Sequence, residues 1–165
     1  MYDKKIIHNT DQLKCLIKTI RKTAQSIVFT NGCFDVIHFG HIHYLKKSKD
    51  LGDILIVGVN SDASIKRLKG EGRPVNCQSD RINVIAALQM IDYVYCFDED
   101  TPIKIIDIIK PDIYTKGGDY PLDNMIGNGL GENYIKSYGG RAVIIKRING
   151  KSSSGIIKKM KNEND

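Results

Sequence analysis

The chain has 165 residues, of which 41% are hydrophobic and 27% charged, the size of one domain that can build its own core and the composition of a soluble globular fold. No apolar run reaches membrane-spanning length and the start, Met1-Tyr2-Asp3-Lys4-Lys5, lacks a signal-peptide core, so a membrane protein and a secreted one are both set aside and a cytoplasmic location is expected. Part of the +6 net charge sits in Lys158-Lys159-Met160-Lys161, with no stacked-aromatic or base-reading motif beside it, so the charge speaks for solubility and small phosphorylated ligands rather than nucleic acid.

Residues 1–25 read as a leading arm and a helix, with Thr10-Asp11 as N-cap and Leu13, Leu16, Ile17 and Ile20 as its apolar stripe. Ile27-Val28-Phe29 is a buried strand that runs into the turn Thr30-Asn31-Gly32. A helical pattern follows, opened by His38, Gly40 and His41 and carried on by Ile42, Leu45 and Leu51. Residues 53–59 form a second apolar strand, ending at Asn60-Ser61-Asp62, and Lys66, Arg67 and Lys69 precede the break at Arg73-Pro74. Asp80 to Met90 reads as a helix and Tyr93 to Phe97 as a strand. Thr101 caps the next helix with Pro102 at its first position. Asp112 to Thr115 is a short strand entering the loop Lys116-Gly117-Gly118-Asp119-Tyr120, and residues 121–131 read as an irregular surface connection. Glu132 to Tyr138 is a helix stopped by Gly139-Gly140, and Ala142 to Ile145 is the last strand. Gly150-Lys151-Ser152-Ser153-Ser154 leads into a final helix from Gly155 to about Lys161.

Apolar strands alternating with helices predict an α/β fold, a doubly wound parallel sheet of Rossmann-like type covered on both faces. Three spans follow: an arm and helix over 1–25, the main domain over 26–161, and a tail over 162–165. Ligands of such sheets sit beyond the strand C-terminal ends at the switch point, where Asn31, Asn60, the Lys116 loop and the Gly150 loop converge. The cysteines Cys15, Cys33, Cys77 and Cys96 form no C-x-x-C pair, which fits reduced thiols.

Histidines spaced by three share a helix face, and taken alone such a pair is more often packing than chemistry. Context argues otherwise, because three of the four histidines lie within 38–43, directly after a strand and turn. Imidazole N–H groups and the amides of a helix N-terminus both suit phosphate. A metal site lacks further ligands nearby, and H-E-x-x-H is absent.

The stretch T-N-G-C-F-D-V-I-H-F-G-H resembles the signature of the H-x-G-H nucleotidyltransferases. N-S-D-A-S-I-K-R-L-K-G (60–70), G-R-P-V-N (72–76), K-G-G-D-Y (116–120) and G-K-S-S-S (150–154) follow in matching order. Together they are most similar to the adenylyltransferase domains that make ADP-heptose from ATP and a heptose 1-phosphate. The resemblance covers roughly residues 27–160 and implies a cytoplasmic enzyme of surface-glycan precursor synthesis, a homodimer, and Mg²⁺ arriving with the substrate ATP. In two-function relatives a sugar kinase domain precedes this one, so a stand-alone form is expected here.

By resemblance, His38, His41 and Lys69 are the catalytic set, the histidines on the α-phosphate and the lysine bridging phosphates. Thr30, Asn31, Gly32, Phe34, Gly40, Lys116, Gly118, Asp119, Ser152, Ser153 and Ser154 fall on the nucleotide side. Asp35, Asn60 and Arg73 fall on the acceptor side, although Asp35 also suits a structural hydrogen bond in the turn or a role beside magnesium. The related enzymes usually carry Ser-Thr-Thr where this chain has three serines, which keeps the hydroxyls. Lys66, Arg67 and Arg147 are secondary candidates, and the Mg²⁺ ligands stay unassigned. Two rivals stand beside this reading: a cytidylyltransferase acting on glycerol 3-phosphate or another small phosphate, and a non-catalytic nucleotide- or RNA-binding module.

Overall fold

The computed structural model describes residues 2–118, 121–146, 148 and 152–162. The described residues form one six-stranded sheet in the order β1-β4-β3-β2-β5-β6, with every pairing parallel. Its strands are β1 (Ile6–Ile7), β2 (Ile27–Gly32), β3 (Ile54–Asn60), β4 (Tyr93–Phe97), β5 (Ile113–Gly117) and β6 (Arg141–Ile145). The helices are α1 (Thr10–Ile20), α2 (Phe39–Lys49), α3 (Asp62–Lys69), α4 (Gln78–Ala87), α5 (Ile103–Ile109), α6 (Glu132–Lys136) and α7 (Ser153–Asn162).

The expected sheet buries its two faces under different helices. Ile27 and Phe29 of β2 join Ile56 and Tyr114 in a core closed by α1, α5 and α6 through Leu13, Ile17, Ile106, Ile109 and Ile135. Val28, one residue out of phase, joins Leu55, Val57, Val59 and Val94 under Leu45 of α2 and Ile85 of α4. Alternation along each strand thus feeds both cores, and each buried aliphatic side chain contributes about 1.5–3 kcal/mol. No helix among the described residues is long and apolar enough to cross a membrane.

Several local expectations are corrected. Strand β1 is an unforeseen element; it pairs with β4 through Ile6 and Ile7, and two residues are too few to show a period. Asn9, not Thr10, caps α1, its side chain accepting from Gln12 N at 2.9 Å, because the Thr10 hydroxyl is engaged with Tyr95 OH at 2.9 Å. The helix stops at Ile20, and Leu51 lies beyond the end of α2. Pro102 occupies the cap of α5 rather than its first position, its carbonyl accepting from Ile106 N at 2.9 Å. Helix α6 ends at Lys136 and α7 begins two residues early, at Ser153. The 121–131 connection is not merely superficial, since Met125 and Ile126 are buried and Ile126 N donates to Leu130 O at 3.1 Å.

Candidate active site

Strand order places the switch point between the parallel neighbours β2 and β5, whose following connections lead to opposite sides of the sheet, to β3 and to β6. Above it opens a cleft of about 440 Å³. Register sets its floor: Thr30 pairs with Thr115, so Asn31 and Lys116 emerge side by side at the strand ends. Asn31 Oδ1 accepts from Tyr114 OH at 2.8 Å and from Lys116 Nζ at 3.3 Å. Burial pushes the Lys116 ammonium down to about 8, because a charge taken out of water is penalised. An anion placed beside it would offset that penalty.

The turn after β2 brings the histidines in. Phe34 sits at φ 48°, a conformation that costs a non-glycine residue about 1–2 kcal/mol, and its ring lies 5.6 Å from that of His41. His38 is the N-cap of α2, and the two imidazole centroids are 4.0 Å apart. The His38 amide donates to His41 Nδ1 at 3.3 Å, which puts the proton of a neutral His41 on Nε2. Both rings, Gly40 and the first turn of α2 face the cleft.

Helix α2 is fixed to the sheet by hydroxyls. Tyr44 OH bonds Thr30 Oγ1 and donates to Thr115 O at 3.0 Å, while Ser48 Oγ and Thr115 Oγ1 lie 2.9 Å apart. The Tyr44 ring lies against Gly117, where an added Cβ would stand 3.1 Å from it. Gly118 takes φ 128°, open to glycine, and its amide donates to Ile145 O at 3.0 Å.

On the opposite wall, α3 ends at Lys69, followed by Gly70 at φ 84°. At the near end of α7, Ser152 Oγ accepts from Gly155 N at 3.0 Å. Ser153 Oγ donates to Val36 O at 2.8 Å, which docks the helix start against the histidine turn.

His38, His41, Lys69, Asn31, Gly32, Phe34, Gly40, Lys116, Asn60, Ser152, Ser153 and Ser154 all line this cleft. Thr30 does not; it is fully buried and works beneath the floor through Tyr44. At the C-terminal end of β5, Gly117 rather than Gly118 lines the cleft. Asp119, Tyr120, Arg147, Gly150 and Lys151 lie outside the described residues.

Asp35 and Arg73 lie outside the cleft lining and bond each other. Asp35 is 2% exposed and accepts from Arg73 Nε at 2.7 Å, Val75 N at 2.8 Å and Asn76 N at 2.9 Å. Burial alone raises its pKa, but the Asn76 and Val75 amides and the Arg73 guanidinium outweigh it and hold the carboxyl below its usual 3.8. Asp35 thereby folds the 73–76 loop onto the turn. Lys66 pairs with Glu71 at 3.1 Å and Arg67 with Asp100 at 2.9 Å.

Sequence reasoning missed Tyr44, Asp100 and Lys146, which also line the cleft. Lys146 had a signal, being one residue past β6; Tyr44 shares a helix face with His41, three residues earlier. The larger omission is Arg81, whose side chain is 1% exposed. It donates to Cys33 O at 2.6 Å, Asn76 O at 3.0 Å and Asp62 Oδ1 at 2.7 Å. One guanidinium therefore joins the histidine turn, the 73–76 loop and the start of α3.

Comparison with known proteins places this architecture. Residues 29–164 match the family described as Cytidylyltransferase-like. The Bifunctional protein HldE of Syntrophotalea carbinolica is 46% identical over 96% of this chain, which spans 31% of that relative's length. The protein of the same name from Geobacter sulfurreducens is 46% identical over 93% of this chain and again 31% of its own. Among solved structures, the lipopolysaccharide core biosynthesis protein of Thermoplasma volcanium is 32% identical, with a TM-score of 0.60 over 78% of this chain and 100% of that one. The pantoate-beta-alanine ligase of Francisella tularensis, 14% identical with a TM-score of 0.60 over 97% of this chain and 78% of its own, shares the fold.

Proposed function

The chain belongs to the cytidylyltransferase-like family, and from that premise we propose that it transfers AMP from ATP to a heptose 1-phosphate, giving ADP-heptose and pyrophosphate. A phosphate oxygen of the sugar phosphate attacks the α-phosphorus of ATP, and the bond to the bridging β-phosphate oxygen breaks. The attacking group is already an anion, so the site needs no general base; its work is positioning and charge neutralisation. One observation carries the reading: His38 and His41 lie with ring centroids 4.0 Å apart at a helix N-terminus that shares a cleft with Lys69 and Ser152–Ser154.

The histidines donate to the α-phosphoryl oxygens as charge builds there. The first-turn amides of α2 and the start of α7 take the remaining phosphates, and Lys69 closes over them from α3. Gly117 lets the Tyr44 ring pack on its bare backbone, which shapes the wall that the nucleoside meets. Mg²⁺ brought with the triphosphate would add to this neutralisation of charge. Among the described residues no cluster of three or more His, Cys, Asp or Glu is arranged to hold a metal.

Heptose is favoured as acceptor by the K-G-G-D-Y and R-P-V-N resemblance and by similarity to proteins named HldE and to a lipopolysaccharide core biosynthesis protein. The reading carries with it a cytoplasmic homodimer. The test is pyrophosphate release with Mg²⁺, crossing ATP, CTP and GTP with heptose 1-phosphate, glycerol 3-phosphate and no acceptor. Release with ATP and the heptose phosphate alone is expected. Turnover of CTP with glycerol phosphate would keep the chemistry and replace the substrates.

A further inference from the structure

Hydrogen-bonding character divides the cleft. The β5/β6 flank and the histidine turn offer donors: Lys116, Lys146, His38, His41 and the serines. The β3/β4 flank, Lys69 apart, offers acceptors. Asn60 is 3% exposed and lines the cleft at the end of β3. Its Nδ2 donates to Ser64 Oγ at 3.0 Å and to Glu99 O at 3.4 Å. The carbonyl of Glu99 can only accept, which fixes the amide orientation and turns its oxygen the other way. Asp100 lines the same wall and cannot donate at all when ionised.

A carboxylate in a cleft built for phosphates repels them unless it is neutralised. Arg67 does this, donating from Nε to Asp100 Oδ1 at 2.9 Å and from Nη2 to Asp98 O. The fork fixes one carboxylate oxygen, while an ionised carboxylate has acceptor capacity for several more bonds. Leu68, Pro102 and Ile126 supply apolar surface beside it, suited to the C–H faces of a ring. A wall of two acceptors over apolar surface matches a polyhydroxyl group, not a phosphate.

We infer that Asp100, set in place by Arg67, is a specificity residue that reads the hydroxyl groups of the acceptor's sugar, with Asn60 as its partner. The inference rests on the adenylyl-transfer reading above and adds the group that selects a sugar over a simpler phosphate ester. No bond is made or broken at Asp100. Arg67 is a positioning residue, acting through Asp100 by orientation and charge.

The test uses the full chain, ATP and Mg²⁺, with heptose 1-phosphate compared with glycerol 3-phosphate. Asp100→Asn should raise KM for the sugar phosphate about 10- to 100-fold, the range of a lost hydrogen bond to a charged group, while KM for ATP stays within about twofold by the same logic. Arg67→Met should raise KM for both substrates, because it uncovers a negative charge. Arg67→Met with Asp100→Asn should restore the ATP value, a rescue that mere structural damage would not allow. Thermal melts of each variant separate misfolding from lost recognition, and Asp100→Ala supplies a second removal of the carboxylate. An unchanged sugar KM in both Asp100 variants, or equal rises for ATP and sugar, overturns the inference alone. Failure of the wild type to use any sugar phosphate overturns both readings.

Discussion

On the β3/β4 side of the cleft, side chains are sewn to backbone. Ser61 caps α3 while its hydroxyl bonds Asp98, Asn60 and Ser64 hold the Glu99 carbonyl, and Arg67 ties the far end of the helix to Asp98 and Asp100. On the β5/β6 side the wall is made largely by clearance: bare Gly117 under the Tyr44 ring, the turn at Gly118, and the first residues of α7. The stitched flank fixes the direction of individual acceptors, which suits a ligand recognised by its hydroxyl pattern. The open flank offers amides and shape, which suits a nucleotide recognised by its phosphates and a flat base.

Arg81 serves both the histidine turn and α3, so the contrast between the two flanks depends most on it. Arg81→Met should destabilise the protein by about 2–4 kcal/mol, since the Cys33 and Asn76 carbonyls lose a charged donor and the half-exposed Asp62 loses its partner; urea unfolding measures this. His41→Ala should leave stability nearly intact and cut kcat about 10²- to 10³-fold, the range of one lost transition-state donor. If that variant turned over normally, the histidine assignment would fail. Gly117→Ala tests the clearance flank, because its Cβ would meet Tyr44 at 3.1 Å. Stability should fall by about 1 kcal/mol and KM for ATP should rise more than KM for the acceptor.

The gentlest probe is pH. Lys116 is pushed down to about 8 from 10.5 by burial, so between those values the unfolded chain holds a proton that the folded one has lost. Nucleotide-free protein should therefore gain stability as pH rises through that window. Affinity for ATP should move the opposite way, weakening above about pH 8 as the ammonium deprotonates. Thermal melts and KM profiles against Lys116→Met, which removes both trends, decide this.

The five longer strands were legible because Ile, Val and aromatic runs between turn residues mark buried parallel strands without any tertiary knowledge. Strand β1 was not, since Ile6–Ile7 becomes a strand only by lying beside β4. The histidine pair and the serines were legible as motifs at strand and helix ends. Arg81 was not, because an arginine in a helix pattern reads as solvated, and its burial depends on three carbonyl and carboxylate oxygens brought together from positions 33, 62 and 76. Asp35 was drawn toward the acceptor by its neighbours in the motif, whereas the structure spends its oxygens on the 73–76 loop.

The knot around Arg81 also bears on how such a protein can change over time. A replacement there disturbs the turn, the loop and the helix start together, and no single second change restores all three. Leu68 and Asp100 line the cleft without belonging to the knot, so under the proposed function acceptor preference can change there at little cost to the fold. The fold thus separates buried residues that hold the walls of the cleft together from exposed ones on its rim that can be exchanged without undoing it.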